Sequence, residues 1–467
     1  MRLLANGCVS RPRWLNVVVG RQEVLQDLPC IFMKPILTLI ALLTFLLLRP
    51  LNAAPPNGFI NAGVGSVDIT PSEPVVLAGS PSRLKSTSVS SRLYARALVL
   101  SDGKQKIAIV TLDTLKYPVE HSERARQQIE KTFGIPAANV IICSSHTHSG
   151  PLWSYYEDQL VTPIAEAVAM AMRDLAPCRL GTAKRIAEGV SECRRVIKDG
   201  HAWNRWQLKS EERDKFPAEG PADPEFDVLA LIGEDQKWKA VAYNFACHAA
   251  NSRDLSVSAD FPGAVQQHVR EHVGYDVPAI FLTGASGDVN PIYSVKEGVF
   301  GQQLGGEIVR SLGELEFITK PTLTLESREF PMPGREHPEL QEAEIARNWH
   351  SQLEHYKKTF TDMKQREQPT YPYFITGIRI GDEFAIVTNA NELFCGIAMS
   401  IKKQSPFKHT MTVGQTNGAH GYVPTAKAFE GGSYETWFGE HSYLTTRAGE
   451  IIERESLGIL KRLKLQE

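Results

Sequence analysis

Short apolar runs rich in β-branched residues alternate along this chain with longer amphipathic stretches, and the two periods predict its elements. Phe59 to Ile69, Arg92 to Leu100 and Lys106 to Leu112 read as strands, the last two joined as a hairpin by the turn Ser101-Asp102-Gly103. A helix is predicted from about Val119 to Phe133, stopped by Gly134 and Pro136, followed by the buried strand Val140-Ile141-Ile142-Cys143. A second helix from about Gln159 to Leu175 carries Ala and Met on its apolar side. Later strands run from Trp238 into Cys247-His248, from Ala279 to Thr283, from Phe374 to Ile380 and from Glu383 to Thr388. The stretch 193–228 reads as irregular, and 337–368 as a charged, helical excursion, either a solvated face or a lid. Strands and helices in this order predict an α/β domain, a mixed β-sheet core flanked by helices.

Composition changes this picture little: 467 residues with 42% hydrophobic and 22% charged positions can bury a large core. A formal net charge of −2, with no basic cluster, argues against a nucleic-acid partner. The N-terminus adds a location. Met33-Lys34-Pro35, the apolar run Ile36 to Leu48 and the small residues at Ala53-Ala54 match a secretory signal peptide, with translation starting at Met33. Residues 1–54 are therefore expected to be an extension plus signal and 55–467 a single domain, exported to the periplasm or beyond. An uncleaved anchor is the alternative, although the run is short for a membrane span. Cys143, Cys178, Cys193, Cys247 and Cys395 are scattered, several within apolar strands, and no Cys-x-x-Cys pair exists. That pattern speaks against a disulfide framework and a thiolate zinc site, while one or two disulfides stay compatible with export.

The candidate chemistry centres on Ser144-Ser145-His146-Thr147-His148-Ser149-Gly150-Pro151. At a period of two, His146 and His148 share a side at the end of a buried strand, an edge that can hold a divalent metal; two surface histidines would give the same pattern. His248 repeats the strand-end placement. Asp260 reads as the N-cap of the next helix, with Pro262 in its first turn. The run Gly284 to Pro291 is a glycine-rich loop holding Asp288 and Asn290, and its Ser286 lacks the spacing of a nucleophile elbow. Glu392 stands at a strand-to-helix junction, as a dipole-favoured residue or as an oxygen ligand aimed at the metal. Trp153, Trp203, Trp206 and Phe216 lie in or near loops, where they serve either packing or an apolar substrate surface.

Taken together, five stretches in order resemble the N-terminal catalytic domain of neutral/alkaline, non-lysosomal ceramidases. They are His-Thr-His-Ser-Gly-Pro, the strand ending at His248, Ser-x-Asp-x-x-Gly at 258–263, Gly-Asp-Val-x-Pro at 287–291, and Asn-x-x-x-Gly-Tyr-Val from Asn417. The resemblance implies zinc ligands at His146, His248, Glu392 and Tyr422. It also implies a proton-handling His148 beside them and an active-site arginine and tyrosine at Arg194 and Tyr434. The implied reaction is hydrolysis of an N-acyl amide of an apolar substrate, a ceramide or another membrane-derived lipid, by zinc-activated water.

The chain departs from that pattern twice. The characterised enzymes continue into an immunoglobulin-like domain, which is not expected here, and they carry a serine where this chain has Asn290. Asn290 is expected to assist the water or the oxyanion, with shaping of the turn before Pro291 as the alternative. Rival readings are an exported zinc amidase or esterase on a non-ceramide substrate and a non-catalytic exported zinc- or glycan-binding protein. A metallo-β-lactamase-like site is disfavoured because Gly150 and Pro151 replace its Asp-His, and a barrel amidohydrolase because regular βα repeats are lacking.

Overall fold

Alternate residues of single strands are buried against different layers, and this alternation sets the architecture. On the strand Tyr94–Ser101, Ala95, Ala97 and Val99 face a helical layer while Leu98 and Leu100 face a second sheet. On Val140–Ser144, Val140 and Ile142 face the helices, and Ile141 and Cys143 the sheet. Strands buried on both faces are continuously apolar, which is why these runs stand out in the sequence. The computed structural model describes residues 55–79, 83–252 and 254–466. The signal-peptide reading falls on residues outside that range.

The larger sheet has nine strands. Its order is Ala279–Thr283, Trp238–Phe245, Glu225–Gly233, Ala176–Ile186, Ile60–Asp68, Tyr94–Ser101, Lys106–Leu112 and Val140–Ser144, with Glu316–Phe317 also pairing to Ala176–Ile186. The outermost pair at each edge is parallel and the centre is antiparallel, so the sheet is mixed. The helices Val119–Phe133 and Val161–Arg173 cover one half of its outer face, and Phe261–Val273 and Glu297–Ser311 the other. Close approach is needed there: a Cβ on Gly63 would sit 2.0 Å from the Ala171 carbonyl oxygen. Against the inner face packs a four-stranded sheet, Leu323–Pro333, Thr370–Ile380, Phe384–Thr388 and His409–Val413. Phe384 and Ile386 enter the inter-sheet core, while Ala385 and Val387 turn to the helices Cys395–Gln404 and Ala448–Leu465. The result is a helix, sheet, sheet, helix sandwich, the expected mixed α/β class, and the larger sheet does not close into a barrel.

What positions the site is the approach of the two edges of the larger sheet. The Thr283 hydroxyl donates to the Ser144 carbonyl at 2.7 Å. The segment after Val413 then stitches both edges: Gly414 N–H donates to Thr283 O at 2.8 Å, and Ser144 N–H to Gln415 O at 3.1 Å. Asn417 completes it, its N–H donating to Ile142 O and its Oδ1 accepting from Ile142 N–H, both at 2.8 Å. The loops leaving the C-terminal ends of Val140–Ser144, Trp238–Phe245 and Ala279–Thr283 therefore share one end of the sandwich, the usual place for a site in such sheets.

Most expected elements are present, the helix Val119–Phe133 and the strand Lys106–Leu112 with the expected ends. The stretch read as irregular is not so throughout: it holds the hairpin Arg195–Lys198 and His201–Asn204 and the start of the strand Glu225–Gly233. Arg195, Val196, Ala202 and Asn204 face inward, and the two polar members of that set hid its periodicity. The excursion at 337–368 is helical, as expected, with helices Glu342–Trp349 and Leu353–Gln365. It packs Ile345 and Tyr356 onto Trp437. Among the described residues no helix is long and apolar enough to cross a membrane.

Candidate metal centre and active site

Strand Val140–Ser144 ends before the histidines, so the same-side argument from a period of two does not hold. His146 instead takes a left-handed backbone, φ 62°, a conformation costing on the order of 1–3 kcal/mol in a residue with a Cβ. The loop is pinned from both sides. Ser145 and His146 N–H groups donate to Leu112 and Thr114 carbonyls at 2.8 and 2.9 Å, and His148 N–H to Ala249 O at 2.9 Å. Gly79 lies against His148 so closely that a Cβ there would fall 2.4 Å from the histidine Cβ. The two imidazoles converge because the turn is held in this way.

The hydrogen bonds also decide which ring nitrogens face inward. His146 Nδ1–H donates to Leu115 O at 2.7 Å, and His248 Nδ1–H to Ser286 O at 2.5 Å. Each Nδ1 thereby carries a proton, and each Nε2 is the nitrogen turned toward the site. Those two Nε2 atoms lie 3.2 and 3.1 Å from the same oxygen, Oε2 of Glu392. That carboxylate oxygen is thus shared by two imidazole nitrogens in a buried space, and His248 Nε2 also meets the Arg194 guanidinium, Nη1 at 3.2 Å. Burial and the adjacent Arg194 push His248 down to about 4, so its ring is neutral at neutral pH. His148 also turns in, its buried Nε2 without a protein partner, and the ligand atoms of His146, His148 and His248 lie within 4.8 Å of one another. Burial, then the neighbouring imidazoles, holds His148 well below its ordinary value. This donor set fits a divalent metal, with Nδ1–carbonyl bonds orienting the rings as they do for ligating histidines.

Glu392 and Tyr422 are set by one backbone feature. Glu392–Leu393 pairs in parallel with Tyr422–Val423, and Glu392 and Tyr422 are register partners. The helix begins only at Cys395, and the Glu392 carboxylate is turned to the two imidazoles rather than to the helix end. The Tyr422 ring stacks 6.4 Å from that of His248, and burial raises its hydroxyl well above the ordinary range.

Arg194 closes the other side. Its Nη1 lies 3.2 Å from His248 Nε2 and donates to Asn290 Oδ1 at 3.3 Å. Asn290 belongs to a short strand, Val289–Pro291, antiparallel to Ser191–Cys193, and this pairing carries it to the arginine. The Tyr434 ring stands 5.4 Å from Tyr422 and is stacked on His441 at 4.9 Å. Trp206 and Trp349 meet at 4.8 Å and flank Tyr434 at 6.2 and 5.9 Å. Of the four loop aromatics, Trp206 thus joins the site. Trp203 and Phe216 pack on Lys198, and Trp153 lies near His121.

Asp260 caps its helix as expected, accepting from Phe261 N–H at 2.7 Å and also from Asn251 and Ser252. All five cysteines of the described residues are free and buried. Sequence reasoning missed Glu435 and Arg195. The first is fully buried and bridges Arg194 and Arg195. Its only sequence signal is adjacency, an acid beside Tyr434 and a second arginine beside Arg194.

No family model matches the chain, and no curated protein matches it in sequence. Solved structures do match. The neutral ceramidase from Pseudomonas aeruginosa superposes with a TM-score of 0.68 at 15% identity, covering 88% of this chain and 75% of its own. A ceramidase complexed with C2 gives the same TM-score at 14% identity, covering 88% and 76%. The resemblance read from five short motifs is borne out as a likeness of fold: this chain has a neutral ceramidase-like fold.

Proposed function

We propose that this protein is a zinc-dependent, ceramidase-like hydrolase of amide bonds in apolar N-acyl substrates, acting after export. The observation that carries the reading is the convergence of His146 Nε2, His248 Nε2 and Glu392 Oε2, with His148 Nε2 unpartnered beside them, a set of ligand atoms able to hold a metal ion. These residues with Tyr422 would hold the metal. Bound there, zinc supplies a Lewis acid and an activated water. The chain's own residues do the rest. His148, neutral and with its buried Nε2 uncommitted, accepts a proton from the attacking water and returns it to the leaving amine. Arg194 keeps its charge despite burial, because the Tyr422 oxygen and Glu435 beside it favour the cation, and its Nη1 is aimed at the same space. Asn290 spends Oδ1 on Arg194, which leaves its N–H groups to donate to the developing oxyanion, a contribution on the order of 3 kcal/mol for a well-placed donor. Tyr434 is the remaining donor, and the Trp206, Trp349 and Tyr434 rings offer an apolar wall to an acyl chain or lipid base.

A non-catalytic metal- or glycan-binding role would leave His148 and Arg194 turned away from the cluster. Their inward orientation supports catalysis instead. The second reading, an amidase or esterase on another substrate, is separated by a panel of ceramides, N-acyl amino acids and simple esters, each with and without chelator. The proposal expects chelator-sensitive turnover of the long-chain amides; turnover indifferent to metal removal, or confined to esters, would overturn it.

A further inference from the structure

We propose that Glu435 is a positioning residue which holds two of the oxyanion donors, Arg194 and Tyr434, in place; this rests on the functional reading above. Arg194 and Arg195 are chain neighbours that would point to opposite faces of a continuous strand. The strand breaks between them, Ser191–Cys193 ending before Arg194 and Arg195–Lys198 starting after it. Both guanidinium groups consequently converge on one carboxylate. Oε1 of Glu435 accepts from Arg194 Nε at 2.8 Å and lies 2.7 Å from its Nη2, which leaves Nη1 directed at His248 and Asn290. Oε2 accepts from Arg195 Nη1 at 2.5 Å and from Asn204 Nδ2 at 3.3 Å.

The far end is anchored as firmly. Arg195 pairs with Glu219 and donates from Nη2 to the carbonyls of Ala428 and Gly432, at 3.2 and 2.7 Å. Charges alternate along Glu219, Arg195, Glu435 and Arg194 and cancel, so none is left buried and uncompensated. Through Asn204 the same carboxylate is tied to Ser433, the residue before Tyr434, and Tyr434 is the chain neighbour of Glu435. Ser433 is held at φ 79°, with Asn204 Nδ2 donating to its Oγ at 3.3 Å and Thr436 Oγ1 to its carbonyl at 2.7 Å. A guanidinium at the end of a long, flexible side chain and a tyrosine on a loop are thereby fixed to one rigid support, the supporting shell that a preorganised donor pair requires.

The test uses Glu435→Gln, Arg194→Ala, their double variant and, away from the reacting atoms, Glu219→Gln. The readouts are kcat and KM on the best amide of the panel, metal content, and affinity for a long-chain alkylphosphonate by titration calorimetry. Glu435→Gln is expected to lower kcat about a hundredfold. KM and metal content should stay near wild type, and phosphonate affinity should fall at least about tenfold. Added guanidinium should restore part of the activity of Arg194→Ala but none in the double variant, because Glu435 forms the seat it would occupy. A folded Glu435→Gln with wild-type kcat, or equal rescue in both backgrounds, overturns the proposal. Should Glu435→Gln fail to fold, Glu219→Gln decides: a few-fold weaker phosphonate binding supports the proposal, and wild-type binding sinks it. Wild-type kcat in Arg194→Ala would instead sink the functional reading, and this inference with it.

Discussion

Two places in this molecule bury histidine against a carboxylate, and they differ in which ring nitrogen makes the contact. Between the two sheets, His409 Nδ1 meets Asp227 Oδ1 at 2.8 Å, both side chains almost wholly buried. One donor faces one acceptor in an ordinary hydrogen bond, while the ring's buried Nε2 has no partner and, among the described residues, no second ligand atom converges on it. At the candidate metal centre, Nδ1 of His146 and of His248 is already spent on a backbone carbonyl, and both Nε2 atoms face Glu392. Each of those rings meets an acceptor through both nitrogens, and the neighbouring His148 Nε2 is buried without a partner beside them. The comparison teaches that burial beside an acid does not mark a ligand; commitment of the other nitrogen does.

The largest effect that would sharpen the contrast is metal removal. Chelation should lower amide turnover by at least about a thousandfold and leave the stability contributed by His409 untouched. Next, Asn290→Ala should cost about a hundredfold in kcat with metal still bound, and mass spectrometry of the working enzyme should find no acyl adduct. An adduct, or an unchanged kcat, would remove Asn290 from the reaction. A stability effect follows at Glu435. Burial alone would raise this carboxyl, but Arg194 and Arg195 hold it at about 2 against an ordinary 4.5. A depressed carboxyl stabilises the fold above its unfolded pKa and loses that contribution as pH falls toward 2. Glu435→Gln should therefore be less stable near neutrality, by about 3–5 kcal/mol as for other broken buried pairs. Its stability should also vary less with pH between 4.5 and 2, measured by denaturant unfolding. The smallest effect is expected at His409→Asn, a loss on the order of 1–3 kcal/mol with unchanged metal content and kcat.

How much of this was legible in the sequence follows from the same physics. Strands buried on both faces, such as Val140–Ser144 and Ala279–Thr283, are apolar at nearly every position and announced themselves. Leu323–Pro333 did not, because most of its side chains are partly buried or exposed and its polar residues mask the alternation. The strand-end histidines were visible as residues, but their convergence was not. It comes from the positive φ of His146 and from the Gly414–Asn417 stitch between strands far apart in the chain. Glu392 stayed ambiguous for the same reason, since its partner strand begins at Tyr422 and short-range patterns carry no trace of that pairing. Glu435 was invisible because a carboxylate that works through two arginines looks, in sequence, like any surface acid.

The central claim is that His146, His248 and Glu392 form a metal centre whereas His409 and Asp227 do not. Metal content per chain, measured by emission spectroscopy on wild type, His248→Ala and His409→Asn purified side by side, tests it most directly. The account predicts about one zinc in wild type and in His409→Asn, and about a tenth of that or less in His248→Ala. Full zinc occupancy in folded His248→Ala would contradict it.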